Sequence, residues 1–187
     1  AGEADGVLHR EVLDALAAAD LLRLAVPRQF GGPEADPVSY VDAIADVSVG
    51  DAAAGWYSAV SSTTSVLAWY LPEDAIREIY PNGSSLTGSS FAPTGAGRWV
   101  DDNLVADSGR WPWGGSTGAQ ADWMAAGFVV DGVLQIGFVP PWRFRAAREL
   151  GCGRIAGERV GGLRDSARCG HPATPSPRVR RRVHPER

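Results

Sequence analysis

The residues best suited to chemistry lie in one segment, 109–123, which reads Gly-Arg-Trp-Pro-Trp-Gly-Gly-Ser-Thr-Gly-Ala-Gln-Ala-Asp-Trp. Its glycines let the backbone approach a ligand closely, and Ser116 and Thr117 offer hydroxyls for hydrogen bonds. The segment also contains three tryptophans, whose large apolar faces carry an N–H group: Trp111, Trp113 and Trp123. This combination is suited to holding a flat ligand. Composition alone favours the alternative, a tryptophan-rich hairpin corner in an ordinary core.

Three further motifs precede this segment. They are Leu-Ala-Val-Pro-Arg-Gln-Phe-Gly-Gly at 24–32, Asp-Ala-Ala-Ala-Gly-Trp at 51–56 and Ala-Pro-Thr-Gly at 92–95. In this order and spacing, the chain resembles the acyl-CoA dehydrogenase superfamily. The Trp-x-Trp, Ser-Thr and Ala-Asp-Trp pattern is similar to its flavin-dependent monooxygenase branch, the two-component aromatic hydroxylases. The resemblance extends over residues 7–139, approximately.

The resemblance implies a flavin cofactor, FAD or FMN, that is contacted by two loops at the strand ends of a β domain. The first of these loops consists of Phe91, Ala92, Pro93, Thr94 and Gly95. The second contributes Trp113, Ser116 and Thr117. Without its neighbours, Pro93-Thr94-Gly95 is typical of an ordinary turn.

Two departures from the family pattern affect the expected chemistry. The stretch 114–118 carries an extra residue, so either Ser116 or Thr117 is the flavin contact, and Ala119-Gln120 stands where the family has a histidine or arginine. Some related hydroxylases use a histidine near the flavin, but His9 is the only histidine before residue 171. The sequence therefore assigns no catalytic residue.

By resemblance, the chain is a flavin-dependent oxidoreductase fragment that uses reduced flavin and O2 to hydroxylate an aromatic or polyketide-like small molecule. A flavin reductase would supply the reduced cofactor, and full-length relatives are expected to be homo-oligomers. The alternative enzyme is an acyl-CoA dehydrogenase, whose carboxylate base the family places further along the chain. The alternative of another class is a non-catalytic interaction module or inactive remnant. We expect this chain alone to be inactive.

Helical spacing of apolar residues marks the first eighty positions. Leu8, Val12 and Leu16 recur at four-residue steps and predict a helix that ends near Leu22. Pro37 is suited to the first position of a second helix, because a helix start needs no N–H there.

A third helix is expected to begin at Asp51, a good N-cap residue. One stripe of this helix is predicted to face the core: Trp56, Val60, Thr63, Leu67 and Tyr70. Trp56 also marks the monooxygenase-like branch, although a core tryptophan is the favoured interpretation. A short helix at 73–80 would end at Pro81-Asn82-Gly83.

Beyond residue 83 the pattern favours short strands, and Asp131-Gly132 between two apolar runs predicts a two-residue hairpin turn. Helices followed by strands predict an α+β protein. Residues 1–83 would form an N-terminal all-α domain and residues 84–141 a small β-barrel-like domain that contacts flavin. The C-terminal helical bundle of the family is expected to be missing.

Charge divides the chain near residue 141. The residues up to 141 include 18 acidic residues and six arginines, whereas 142–187 include four acidic residues and twelve arginines, giving formal charges of −12 and +8. Regular apolar periodicity also ends near Trp142. We therefore expect 142–187 to be a basic, low-order or frame-shifted tail. Nucleic-acid binding is not expected, because the tail lacks interleaved aromatic residues.

Metal and membrane functions are not expected either. Cys152, Cys169 and His171 lack the paired spacing of zinc ligands. No apolar run approaches the ~20 residues of a membrane span, and the first residues lack the pattern of a secretory signal. The expected location is the cytoplasm.

Overall fold

A computed structural model of the chain describes residues 7–81, 85–100, 103–111, 120–140, 145–147 and 152–164. Within these ranges, all helices precede all strands. The helices are α1 (Arg10–Ala18), α2 (Pro37–Gly50), α3 (Ala52–Ser65) and α4 (Glu73–Ile79), with short 3-10 turns at Arg28–Phe30 and Val66–Tyr70. The strands are β1 (Thr87–Val100), β2 (Asn103–Trp111), β3 (Trp123–Val130), β4 (Val133–Val139), β5 (Arg145–Ala147) and β6 (Cys152–Arg164). The α+β prediction is confirmed.

Helix starts follow the local sequence signals. Pro37 is the first residue of α2, and the carboxylate of Asp36 accepts hydrogen bonds from the next free backbone N–H groups. Asp51 caps α3 through a 2.9 Å bond from the backbone N–H of Ala54. Helix α1 ends at Ala18, earlier than expected, because Asp20 has a left-handed backbone with φ 62°, which a helix cannot continue through.

The orientation of α3 contradicts the sequence prediction. Trp56 and Tyr70, expected in the core, are 56% and 59% exposed. The buried side of the helix carries mainly hydroxyl residues: Ser58, Ser61, Ser62, Thr64 and Ser65. The serine hydroxyls bond to backbone groups of the neighbouring segments, for example Ser58 to the carbonyl of Leu21 at 2.6 Å, whereas the Thr64 hydroxyl bonds to the carbonyl of Val60 in its own helix. These bonds make a polar helix face suitable for the interior.

The strands form a closed sheet. Their order is β2-β1-β3-β4-β6-β5, and an additional pairing joins β2 to β6. Strands β1 and β3 are parallel, whereas the other pairs are antiparallel. The closure of five strands into a ring agrees with the β-barrel-like prediction. The expected turn at Asp131-Gly132 is also present, with φ of 50° and 78°.

Two strands lie beyond residue 141. Strand β6 pairs with β2 over most of its length, from Asn103 opposite Arg164 to Trp111 opposite Gly153, and β5 pairs with β6. The expectation that regular structure stops near Trp142 is therefore wrong for these strands. Because β6 is rich in glycine and arginine, its apolar alternation is too weak to indicate a strand.

Two groups of buried side chains hold the helices against the sheet. The larger group joins α1 and α3 to β1–β4 through residues such as Leu16, Tyr57 and Phe128. The smaller joins α4 to the start of β3 and to β4, with Ile79, Trp123 and Phe138 among its members. None of the described helices has the length and apolar character needed to cross a membrane.

Candidate functional site

The predicted flavin loop at residues 91–95 is a bulge inside β1. Ser90 pairs with Ala126 and Gly95 pairs with Phe128, so residues 91–94 all face the single β3 residue Gly127. The alternative interpretation of Pro93-Thr94-Gly95 as an ordinary turn is therefore wrong, because β1 continues through this region. Pro93 is compatible with the bulge because proline cannot donate a ladder hydrogen bond.

The bulge presents its side chains to solvent. Phe91 is 38% exposed, Pro93 and Thr94 are exposed, Ala92 is half-buried and Gly95 is buried. Phe91 and Thr94 thus expose an aromatic ring and a hydroxyl group to solvent. Thr94 can donate or accept a hydrogen bond there.

The tryptophan-rich segment is described only at its two ends. Trp111, at the end of β2, is fully buried, and Trp123, at the start of β3, is 8% exposed. Both are core residues. The predicted contacts Trp113, Ser116 and Thr117 lie outside the described residues.

Trp111, the last residue of β2, bonds to the β3 residue that lies opposite the bulge. The indole Nε1–H of Trp111 donates a 2.8 Å hydrogen bond to the carbonyl of Gly127, the residue that faces the bulge. The ring packs edge-to-face on Phe128, with centroids 5.1 Å apart. Sequence reasoning did not identify Gly127; the available signal was a glycine in the interior of a strand, which marks a close backbone approach.

Gln120 occupies the expected basic position and has a structural role. Its Oε1 accepts bonds from the backbone N–H of Leu8 at 3.1 Å and from the Tyr57 hydroxyl at 2.7 Å. Its Nε2 donates to the carbonyl of Leu8 at 2.9 Å. With both ends of its amide engaged, Gln120 ties the helical part of the chain to the sheet.

The Ala-Asp-Trp motif also stabilises the fold. Asp122 Oδ2 accepts a 2.9 Å bond from the backbone N–H of Leu86, and the Asp122 N–H donates to the carbonyl of Leu86 at 2.7 Å. These bonds align the starts of β1 and β3. The 51–56 motif also has a structural role. A Cβ at Gly55 would collide with Ser48 of α2, so this glycine permits the close packing of α2 on α3.

His9, the one histidine within the described ranges, is exposed at the start of α1. The described residues contain no group of His, Cys, Asp and Glu that could hold a metal ion. A surface cavity of about 650 Å³ lies by α4 and is lined by Gln29, Phe30, Gly31, Arg77, Tyr80 and Pro81. It includes none of the predicted site residues.

The fold is similar to that of a known class of α+β protein. Residues 1–80 match the family described as acyl-CoA dehydrogenase, N-terminal domain. The HsaA monooxygenase from M. tuberculosis has a similar structure, with a TM-score of 0.73 and 23% identity over 87% of this chain and 46% of that one. Residues 1–80 are thus similar to the acyl-CoA dehydrogenase N-terminal domain, as the motifs in this part of the chain indicate.

Its curated relatives include flavin-dependent monooxygenases. Indole-3-acetate monooxygenase of Pseudomonas putida is 35% identical over 63% of this chain and 31% of that protein. Flavin-dependent monooxygenase, oxygenase subunit HsaA, of Rhodococcus jostii is 33% identical over 62% of this chain and 30% of that protein. The chain thus spans about a third of the length of these relatives.

Proposed function

We propose that this chain forms one side of the flavin site of a monooxygenase that hydroxylates an aromatic or polyketide-like small molecule. The observation that carries the proposal is the bulge at residues 91–94, which exposes an aromatic ring and a hydroxyl and is anchored to the rest of the sheet at Gly127. The similarity to two flavin-dependent or aromatic-acid monooxygenases supports it.

The residues of the bulge fit a flavin, FAD or FMN. A flavin site needs hydrogen bonds to the polar edge of the ring and an apolar wall beside it. Thr94 and the backbone that leaves the β1–β3 ladder can supply the first, and Phe91 the second. By the resemblance, Trp113, Ser116 and Thr117, which lie outside the described residues, are proposed to contribute to the same flavin site.

When bound, the reduced flavin supplies the electrons for oxygen activation. The role of this chain's residues is to bind and orient the ring edge and to exclude water from one side of it. The oxygenase-subunit description of the Rhodococcus relative supports a separate flavin reductase as partner.

Flavin titration of the purified chain tests the proposal. We expect weak but saturable binding of reduced or oxidised FAD or FMN, because an open surface buries less of the ring than an enclosed pocket. Thr94→Glu places a negative charge beside the electron-rich ring edge and should raise Kd at least about tenfold, equivalent to 1.4 kcal/mol. Fluorescence quenching and equilibrium dialysis measure the flavin Kd of the unmodified chain and of Thr94→Glu.

Val133→Glu is the matched control, since Val133 is 56% exposed at the far end of the β3–β4 hairpin. It should leave Kd within about twofold. Absence of saturable binding for either flavin, or equal effects of the two glutamates, would contradict the proposal. Loss of flavin absorbance on anaerobic addition of an acyl-CoA would instead support the dehydrogenase alternative.

A further inference from the structure

The ladder between β1 and β3 is interrupted at one place. Residues 91–94 of β1 face Gly127 alone, whereas the pairs on both sides, Ser90 with Ala126 and Gly95 with Phe128, are regular. Parallel strands normally pair residue by residue with evenly spaced hydrogen bonds. Four residues of β1 therefore stand opposite one residue of β3, and the regular β1–β3 ladder is interrupted around Gly127.

The indole of Trp111 occupies this gap. Its Nε1–H reaches the Gly127 carbonyl at 2.8 Å, although Trp111 lies on β2, on the other side of β1 in the strand order. The ring is fully buried. A buried carbonyl without a donor is costly, and the indole donates to the Gly127 carbonyl at the point where the regular ladder is interrupted.

Three glycines on three neighbouring strands make room for this arrangement. A Cβ at Gly95 of β1 or at Gly109 of β2 would collide with the Trp111 ring. A Cβ at Gly127 of β3 would lie 2.6 Å from the carbonyl oxygen of Phe91 and 2.7 Å from that of Ala92. Two of these glycines thus accommodate the indole, and the third lets the bulge backbone rest on β3.

We propose that Trp111 is a positioning residue that holds the bulge at residues 91–94 against Gly127 and thereby sets the position of the flavin ring edge. The second half of this statement rests on the proposed function; the first half concerns the bulge alone. The Trp111 side chain is fully buried. It therefore acts through the bulge rather than by touching the flavin ring.

Two variants test the proposal from opposite sides. Trp111→Phe keeps an aromatic ring but removes the N–H donor, and Gly127→Ala pushes the carbonyls of Phe91 and Ala92 away from β3. Matched controls carry the same changes elsewhere. Trp69→Phe removes an indole bond of the same length, 2.8 Å, to the carbonyl of Ala25, and Gly50→Ala adds a methyl group where nothing lies within 4 Å.

Hydrogen–deuterium exchange of peptides covering residues 88–98 measures the bulge without any flavin. We expect exchange there to accelerate about tenfold in both test variants, which corresponds to the loss of roughly one hydrogen bond, and not in the controls. Circular dichroism and unchanged exchange in α3 verify that the variants remain folded. Equal exchange in Trp111→Phe and Trp69→Phe would overturn the positioning role.

Flavin affinity and the visible spectrum of bound flavin test the second half of the proposal, that Trp111 sets the position of the flavin ring edge. Trp111→Phe and Gly127→Ala should raise Kd about tenfold and shift the absorption band, with no change in the controls. Faster exchange with unchanged affinity and spectrum would overturn the link to flavin. If the unmodified chain bound no flavin, the proposed function would fail, while the exchange result would still decide the role of Trp111 in the bulge.

Discussion

Tyr80 combines deep burial with an ionisable hydroxyl. It packs in the core group that contains Ile79 and Trp123, and its hydroxyl makes no hydrogen bond of standard geometry among the described residues, although the Thr87 hydroxyl lies near it. Burial raises the pKa of Tyr80 well above its ordinary value, because the phenolate would lose its solvation. The folded state therefore keeps Tyr80 protonated in alkaline solution.

Tyr80 should make stability fall at high pH. Its folded pKa is above its unfolded pKa, so its contribution is complete below about pH 10 and is lost as pH rises further, because only the unfolded chain ionises readily. We expect Tyr80→Phe to have a smaller loss of unfolding free energy between about pH 8 and pH 11 than the unmodified chain. Urea titrations at both values measure this, and an equal loss in the two proteins would disprove the assignment.

At the scale of elements, the hydroxyl face of α3 joins the helices to the sheet. Ser61 Oγ donates to the carbonyl of Leu22 at 2.7 Å and accepts from the backbone N–H of Thr87 at 3.0 Å. The hydroxyls of Ser62 and Ser65 accept hydrogen bonds from the backbone N–H groups of Leu24 and Ala25, which lie in the segment after α1. Helix α3 thus fixes the start of β1, four residues before the bulge.

Ser61→Ala should destabilise the protein by about 1–3 kcal/mol, because it leaves two buried backbone groups without their partner. Ser48→Ala on α2 is the control: its hydroxyl bonds only to the carbonyl of Ile44 in its own helix, and the expected change is within about 0.5 kcal/mol. Urea unfolding followed by circular dichroism measures both. Similar losses in the two variants would show that the α3 contacts contribute little.

The features predicted correctly from the sequence are those that depend on adjacent residues. Asp51 caps the helix that follows it, and Asp131-Gly132 forms a turn between its own flanking strands. The α3 orientation and the β1 bulge were not predictable in this way. Ser61 is buried because of Leu22 and Thr87, and Trp111 is part of the site because of Gly127; none of these partners is near in sequence.

At the scale of the whole molecule, several large apolar side chains of the helical part are exposed to solvent. Helix α2 has no buried residue although it is largely apolar. Together with α3 and the following 3-10 turn, it leaves large side chains in solvent: Val38, Val41, Val49, Trp56, Val66, Trp69 and Tyr70. Large apolar side chains that are exposed to solvent in this way favour association between molecules.

Trp56 and Tyr57 are neighbours on α3, but replacement by glutamine should change the unfolding free energy far less at Trp56 than at Tyr57. Trp56 is 56% exposed, so Trp56→Gln should change the unfolding free energy by no more than about 0.5 kcal/mol and reduce light scattering at high protein concentration. Tyr57 is 2% exposed and bonds to Gln120, so Tyr57→Gln should cost about 3 kcal/mol or more. Urea unfolding and light scattering of both variants measure these effects. If Trp56→Gln were as destabilising as Tyr57→Gln, Trp56 would lie in the core and the apolar stripe of α3 would face inward after all.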